Sequence, residues 1–249
     1  MRCTALLLFA STVLAFGQWP ARSKADPKGP APKAADGRPD LSGLWENDGA
    51  PGQAGTAGLG FIDLRKALPP TAMVMKPAAA ALRAARFADN SKDHPDAHCL
   101  PLHPVQLHSH PFPQRIIQTP TLIVLLHEAN NGQRLVFLDG RPLPTDAEPW
   151  WYGYSIGRWE GDTLVVTSRG FRDGGWLDEQ GTPTSDALTL TERFRRPTFG
   201  KLEIEMTVDD PKTFEKPFTF SAPHHLRAGE EMIEFVCLEN QDLKHFVGR

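Results

Sequence analysis

The chain has 249 residues with a formal charge of −3, and 40% of its residues are hydrophobic. That length suits one large domain or two small ones, and the hydrophobic content suffices for a packed core. The near balance of charge, with no long basic face, argues against a nucleic-acid partner.

In chain order, the first element is an export signal. Arg2 is a short basic start, "CTALLLFASTVLAF" is an apolar run, and the small residues of "AFG" offer a cleavage site after Gly17. Residues 1–17 therefore read as a signal peptide, and the mature protein as periplasmic or secreted. Cys3 precedes the apolar run, which argues against a lipid anchor, and no second long apolar run predicts stable membrane insertion. Loss of Arg2 with the leader moves the charge from −3 to −4. Two cysteines then remain, Cys99 and Cys237, and an oxidising compartment favours a disulfide between them. Residues 18–39, rich in Pro, Ala and Lys, read as a disordered leader, and residues 40–249 as a single domain.

Ordered structure is expected from "DLSGLWEN", followed by a flexible loop, "GAPGQAGTAGLG", and one helix that opens at Pro77 and runs through "AAAALRAARFAD". Beyond Arg115 the pattern is strands and turns: "RIIQT", "TLIVLLHE", "NNG", "QRLVFL", "WWYGYSIGRW", "TLVVTS", "LTLTERFRR", "KLEIEMTV", "PFTFSA" and "EEMIEFVCLEN". No βαβ rhythm appears. The expected fold is mainly β: an antiparallel barrel with one helix and long loops.

Two segments carry a family resemblance. "DGRPDLSGLW" and "GRWEGDTLVV" resemble a large, mostly uncharacterised family of secreted bacterial proteins, and the likeness runs from about Asp36 to Asn240. Leu143 and Thr184 stand where that family often has histidine, so a role resting on those histidines is in doubt here. A second resemblance is to lipocalins. "LSGLW" is similar to the Gly-x-Trp of their first strand, in which an arginine from a late strand covers the tryptophan. Trp45 would be that tryptophan, and Arg193 or Arg195 the arginine. The resemblance implies a barrel that holds one small apolar molecule.

Three groups of residues could carry chemistry. The first is "HCLPLHPVQLHSHPF". In an extended strand His108 and His110 would point to one side, and His103 or His127 could complete a metal site for zinc, copper or iron. Prolines 101, 104, 111 and 113 argue instead for a rigid loop with solvated histidines, which needs no cofactor. The second is aromatic. Period-2 counting puts Trp151 and Trp159 on one face with small residues between them, and Trp150, Tyr152, Tyr154 and Ile156 on the other. Trp176 lies on a long glycine-rich loop that could close over a ligand. The third is Glu192, set among Leu188, Leu190 and Phe194. Burial would raise its pKa and, with His127, suit acid–base catalysis of a lyase, isomerase or hydrolase kind. The competing reading is a structural pair of Glu192 with Arg193, Arg195 or Arg196.

The absence of a nucleophile elbow, P-loop, dinucleotide fingerprint or His-Glu-x-x-His motif argues against the corresponding enzymes. The leading expectation is an exported barrel that binds a small apolar or aromatic molecule through Trp151, Trp159, Trp176 and Tyr154. The alternatives are an enzyme on the same barrel, acid–base or metal-dependent, and an envelope protein that binds polysaccharide. Composition leaves the oligomeric state open.

Overall fold

A computed structural model describes residues 25–48, 63–146 and 148–237. The proposed signal peptide and the loop "GAPGQAGTAGLG" lie outside the described residues. The architecture is a closed barrel of nine strands in sequence order. They are β1 (Gly43–Asn47), β2 (Gln114–Gln118), β3 (Leu122–His127), β4 (Gly132–Phe137), β5 (Tyr154–Glu160), β6 (Thr163–Arg169), β7 (Thr189–Thr198), β8 (Lys201–Asp209) and β9 (Phe218–Leu226). Among the described residues, two α-helices accompany it, α1 (Pro77–Ala88) and α2 (Pro104–Ser109). The expected mainly-β barrel is present.

Period-2 alternation builds the wall. On β8, Leu202, Ile204, Met206 and Val208 are buried while Lys201 and Glu205 face solvent. On β7, Leu190, Glu192, Phe194 and Arg196 share the inner face. These side chains join Trp45, Ile123, Leu125, Val136 and Leu164 in one apolar core, so this part of the barrel is filled by its own residues.

All neighbouring strands pair antiparallel except β4 and β5, which run parallel and meet only where Val136 faces Ser155 and Phe137 faces Ile156. The reason is the connection. Residues 138–153 carry the chain back along the barrel instead of reversing it in a tight turn.

At one end of the barrel an arginine covers the tryptophan of the Gly-x-Trp stretch, and it is Arg196 rather than Arg193 or Arg195. The Arg196 guanidinium lies 4.8 Å above the Trp45 ring and donates to the carbonyls of Asp40 and Phe199. Arg193 pairs with Glu160 and Arg195 with Glu203 on the outside. Arg196 has the parity of Glu192 and Phe194, which turns it inward; Arg193 and Arg195 have the opposite parity. Gly43 sits at φ 151°, and a Cβ there would come within 2.6 Å of Leu226.

Four expectations are corrected. Residues 25–39 are not a free leader: Phe199 and Gly200 donate backbone hydrogen bonds to Gly29 and Pro27, and Lys33 pairs with Asp162. A second helix, α2, occupies the histidine stretch. Residues 231–237 form no strand, because β9 already pairs with β1 and the closed sheet has no free edge. The face counting across Trp151 and Trp159 fails because β5 begins only at Tyr154, after a turn at Gly153 with φ 62°.

Candidate functional site

The end opposite Arg196 is where β1, β3 and β6 finish and β2, β4, β5 and β7 begin. Helix α2 lies across it. Pro104 takes the first helical position, which needs no N–H. His103 is the N-cap: its Nδ1 accepts the Val105 N–H at 3.2 Å, and Gln106 accepts the His103 N–H in a capping box. Every residue of α2 is buried. This helix overturns the extended His-x-His reading. Residues two apart on a helix point about 200° apart, so His108 and His110 diverge. His108 enters the barrel, whereas the His110 Nδ1 accepts the Phe112 N–H and its ring packs on Phe112.

Inside, Glu192 is wholly buried and is the hub of a polar network. Arg134 of β4 engages both of its oxygens, at 2.8 Å from Nη1 to Oε1 and through a shorter contact from Nη2 to Oε2. The same guanidinium donates to Ser155 at 3.1 Å and Ser168 at 2.8 Å. Burial alone would raise the Glu192 carboxyl. The charge and hydrogen bonds of Arg134, aided by His108, overcome it and hold the carboxyl well below its usual range. Glu192 is therefore a carboxylate that only accepts. The His108 Nε2 lies 2.9 Å from Oε1 and donates its N–H to it.

Around His108 stand three more buried histidines. The rings of His127 and His224 lie 5.8 and 6.3 Å from it. His224 donates from Nδ1 to the Ala222 carbonyl at 2.9 Å, so its Nε2 accepts the Gln114 amide N–H at 2.9 Å. Burial, then the charge of Arg134, pushes His103 down to about 3; burial, then His108, does the same to His224. His127 is pushed well below its usual value by burial and then by His108 and Arg134. These three imidazoles are neutral at neutral pH. Four side-chain atoms in this region are buried with no hydrogen-bond partner: His103 Nε2, His108 Nδ1, His127 Nε2 and Gln114 Oε1.

This geometry revises the acid–base expectation. Glu192 is not a raised carboxyl, its imidazole partner is His108 rather than His127, and the arginine on it comes from β4, not β7. The sequence did hold a signal for Arg134. In "GQRLVF", period-2 counting puts it inward between Gly132 and Val136. Among the described residues, no three histidine, cysteine or carboxylate side chains are grouped to hold one metal ion.

The aromatic candidates do not share one site. Trp176 is buried, with Arg86 4.2 Å over its ring and the His94 ring edge-on at 5.2 Å, so it does not ride a free loop. It lines a cleft of about 210 Å³ together with Trp151, His103 and Phe171. Tyr154 belongs to a separate groove of about 560 Å³ along the β4–β5 seam, walled by Leu135, Phe137, Trp150, Tyr152 and Ile156. Trp159 lines neither and packs against the core with Arg38 over it. Leu143 lines the groove, and Thr184 is buried and bonded through its backbone to Gly174 and Gly175 beside the cleft.

The disulfide expected from the cysteine count is present. Cys99 and Cys237 are joined with Cα atoms 5.6 Å apart, which ties the segment after β9 to the loop before α2. Among the described residues, no helix is long and apolar enough to cross a membrane. No family model, no curated protein and no solved structure matches the chain.

Proposed function

We propose that this is an exported barrel protein that binds a small apolar or aromatic molecule, and that the binding surface is the groove along the β4–β5 seam. One observation carries the reading. Leu135 and Trp150 are 46% and 53% exposed, and they converge with Phe137, Tyr154 and Ile156 on one concave surface. Exposed apolar side chains gathered in this way mark a binding surface. A volume of about 560 Å³ falls in the range of small-molecule sites.

The groove is also stiff. The Trp150 and Tyr154 rings stack with centroids 4.3 Å apart, and Arg141, held by Asp139, lies 3.8 Å over the Phe137 ring. Preorganised aromatics bind with little loss of side-chain freedom. The disulfide and the basic-then-apolar start of the chain support export.

The test is a titration with N-phenyl-1-naphthylamine, an uncharged fluorophore that brightens in an apolar setting. Wild type is expected to bind it, and Trp150→Ala and Leu135→Ser to weaken binding by about tenfold or more while the fold is kept. Equal binding by both variants would remove the groove as the site. Retention on insoluble glycan that depends on Trp150, without fluorophore binding, would favour the polysaccharide reading instead.

A further inference from the structure

The cleft at the mouth of the barrel differs in chemistry from the seam groove. We propose that it is a second small-molecule site, for an uncharged planar ring bearing a carbonyl-type acceptor, entered between Trp151 and Trp176 and read by the Nε2–H of His103.

The walls are aromatic and fixed. Trp176 is held by Arg86 and His94, and Trp151 lies under Arg172, whose guanidinium is 5.0 Å from its ring. Phe171 also lines the cleft, with its ring 5.0 Å from that of His103 and tilted by 36°. Flat surfaces of this kind take a flat ligand by stacking. Size sets the next limit. An apolar cavity of about 150 Å³ accommodates benzene, so about 210 Å³ leaves room for one ring and a short substituent.

The polar element follows from the N-cap. His103 uses Nδ1 to accept the Val105 N–H, so a neutral ring carries its proton on Nε2. That Nε2–H is buried with no partner, on a side chain that forms part of the cleft wall. A buried donor without an acceptor is unfavourable, and a ligand oxygen that reaches it would recover much of that loss. Negative charge is disfavoured. Arg134 and Glu192 already pair with each other, and the cleft lining sets two carboxylates, Asp93 and Asp173, against the one guanidinium of Arg172. An anionic head would lose its hydration here without gaining a counter-ion of its own, and a cationic head offers no acceptor to the His103 N–H.

Acetophenone and its carbon isostere α-methylstyrene are the probes, because they differ only in the carbonyl oxygen. Binding is read from the indole N–H signals of Trp151 and Trp176 in nitrogen-15 correlation spectra of the full chain. Acetophenone is expected to bind more tightly by about tenfold, the equivalent of one buried hydrogen bond. His103→Phe keeps a ring and removes the donor, and should bring the two probes to equal affinity. That variant also loses the N-cap, so Trp151→Ala, at the half-buried wall, provides a second test and should weaken both probes together. Failure of either probe to shift these signals, equal affinity in wild type, or a preference that survives His103→Phe would overturn the proposal. Acetophenone should not displace N-phenyl-1-naphthylamine from the seam groove, so each site stands or falls by its own measurement.

Discussion

The wall from β6 to β9 and the seam between β4 and β5 are built by different means. The β7–β8 ladder runs from Thr189 opposite Asp209 to Arg195 opposite Glu203, and β8–β9 from Lys201 opposite His225 to Val208 opposite Phe218. Backbone hydrogen bonds hold that wall. At the seam the ladder covers only Val136–Phe137 and Ser155–Ile156. There the side chain of Arg134 does what the backbone does elsewhere. It reaches from β4 to Ser155 on β5, Ser168 on β6 and Glu192 on β7, and so fastens four strands from inside. The seam is also where apolar side chains remain on the outer surface. Closing a barrel with a long connection leaves a join that a buried ion pair can hold and that a ligand can use.

The largest effect should come from breaking that fastening. Removing one partner of a buried pair typically destabilises by about 3–5 kcal/mol. Arg134→Met is therefore expected to lower stability by that order, and hydrogen exchange should rise first in β4 and β5 while β8 and β9 stay protected. Uniform loss of protection would show that seam and wall are one cooperative unit. Arg134→Met combined with Glu192→Leu should recover part of the loss, since no charge is then left unpaired.

Next in size is the disulfide. Its partners are 138 residues apart, and a loop of that length implies about 4–5 kcal/mol on the chain-entropy model. Native-state strain or structure left in the unfolded chain would lower that figure. Cys99→Ser with Cys237→Ser should reduce the denaturation midpoint accordingly. Protection should be lost in the segment after β9 before the barrel wall opens.

Acid should act on the α2 end before the opposite end. His103, His127 and His224 are neutral in the fold with pKa values below the ordinary 6.5, while the unfolded chain protonates them near that value. Above about pH 6.5 they add no pH dependence. Below it the unfolded state binds more protons, and each histidine removes about 1.4 kcal/mol per pH unit until its folded pKa is reached. Glu192, depressed in the fold, adds a further loss below its ordinary 4.5. Denaturant midpoints between pH 7 and 5 should fall steeply, and His224→Gln, which retains a hydrogen-bonding side chain, should flatten the slope.

The smallest stability change belongs to the outer face of the seam. Trp150→Ala and Leu135→Ser remove half-exposed side chains and should shift stability by about 0.5 kcal/mol or less, while weakening fluorophore binding by about tenfold or more. A large destabilisation would make those residues part of the seam's structure instead of its ligand surface.

The strand faces were legible because alternation is a local property. β8 can be read residue by residue, and the same counting turns Arg134 and Arg196 inward. The helix α2 was obscured by its prolines, although Pro104 at the first position, with His103 and Gln106 around it, is a helix-start pattern. Tyr154 was marked as a contact and does line a cavity, and the counting that set Trp150, Tyr152, Tyr154 and Ile156 on one face named four residues that meet in the groove, although Gly153 breaks the strand before Tyr154.

The sequence by itself determined a β-barrel, the inward carboxylate at Glu192 and the cysteine pair, since each follows from spacing, parity or composition; an arginine over Trp45 was only what the lipocalin resemblance implied. Only the tertiary structure decided which arginine and which histidine meet Glu192, that α2 closes the barrel, and that Trp151 and Trp176 share a cleft with His103. Those are encounters between residues far apart in the chain, set by strand register and closure, which no local pattern encodes.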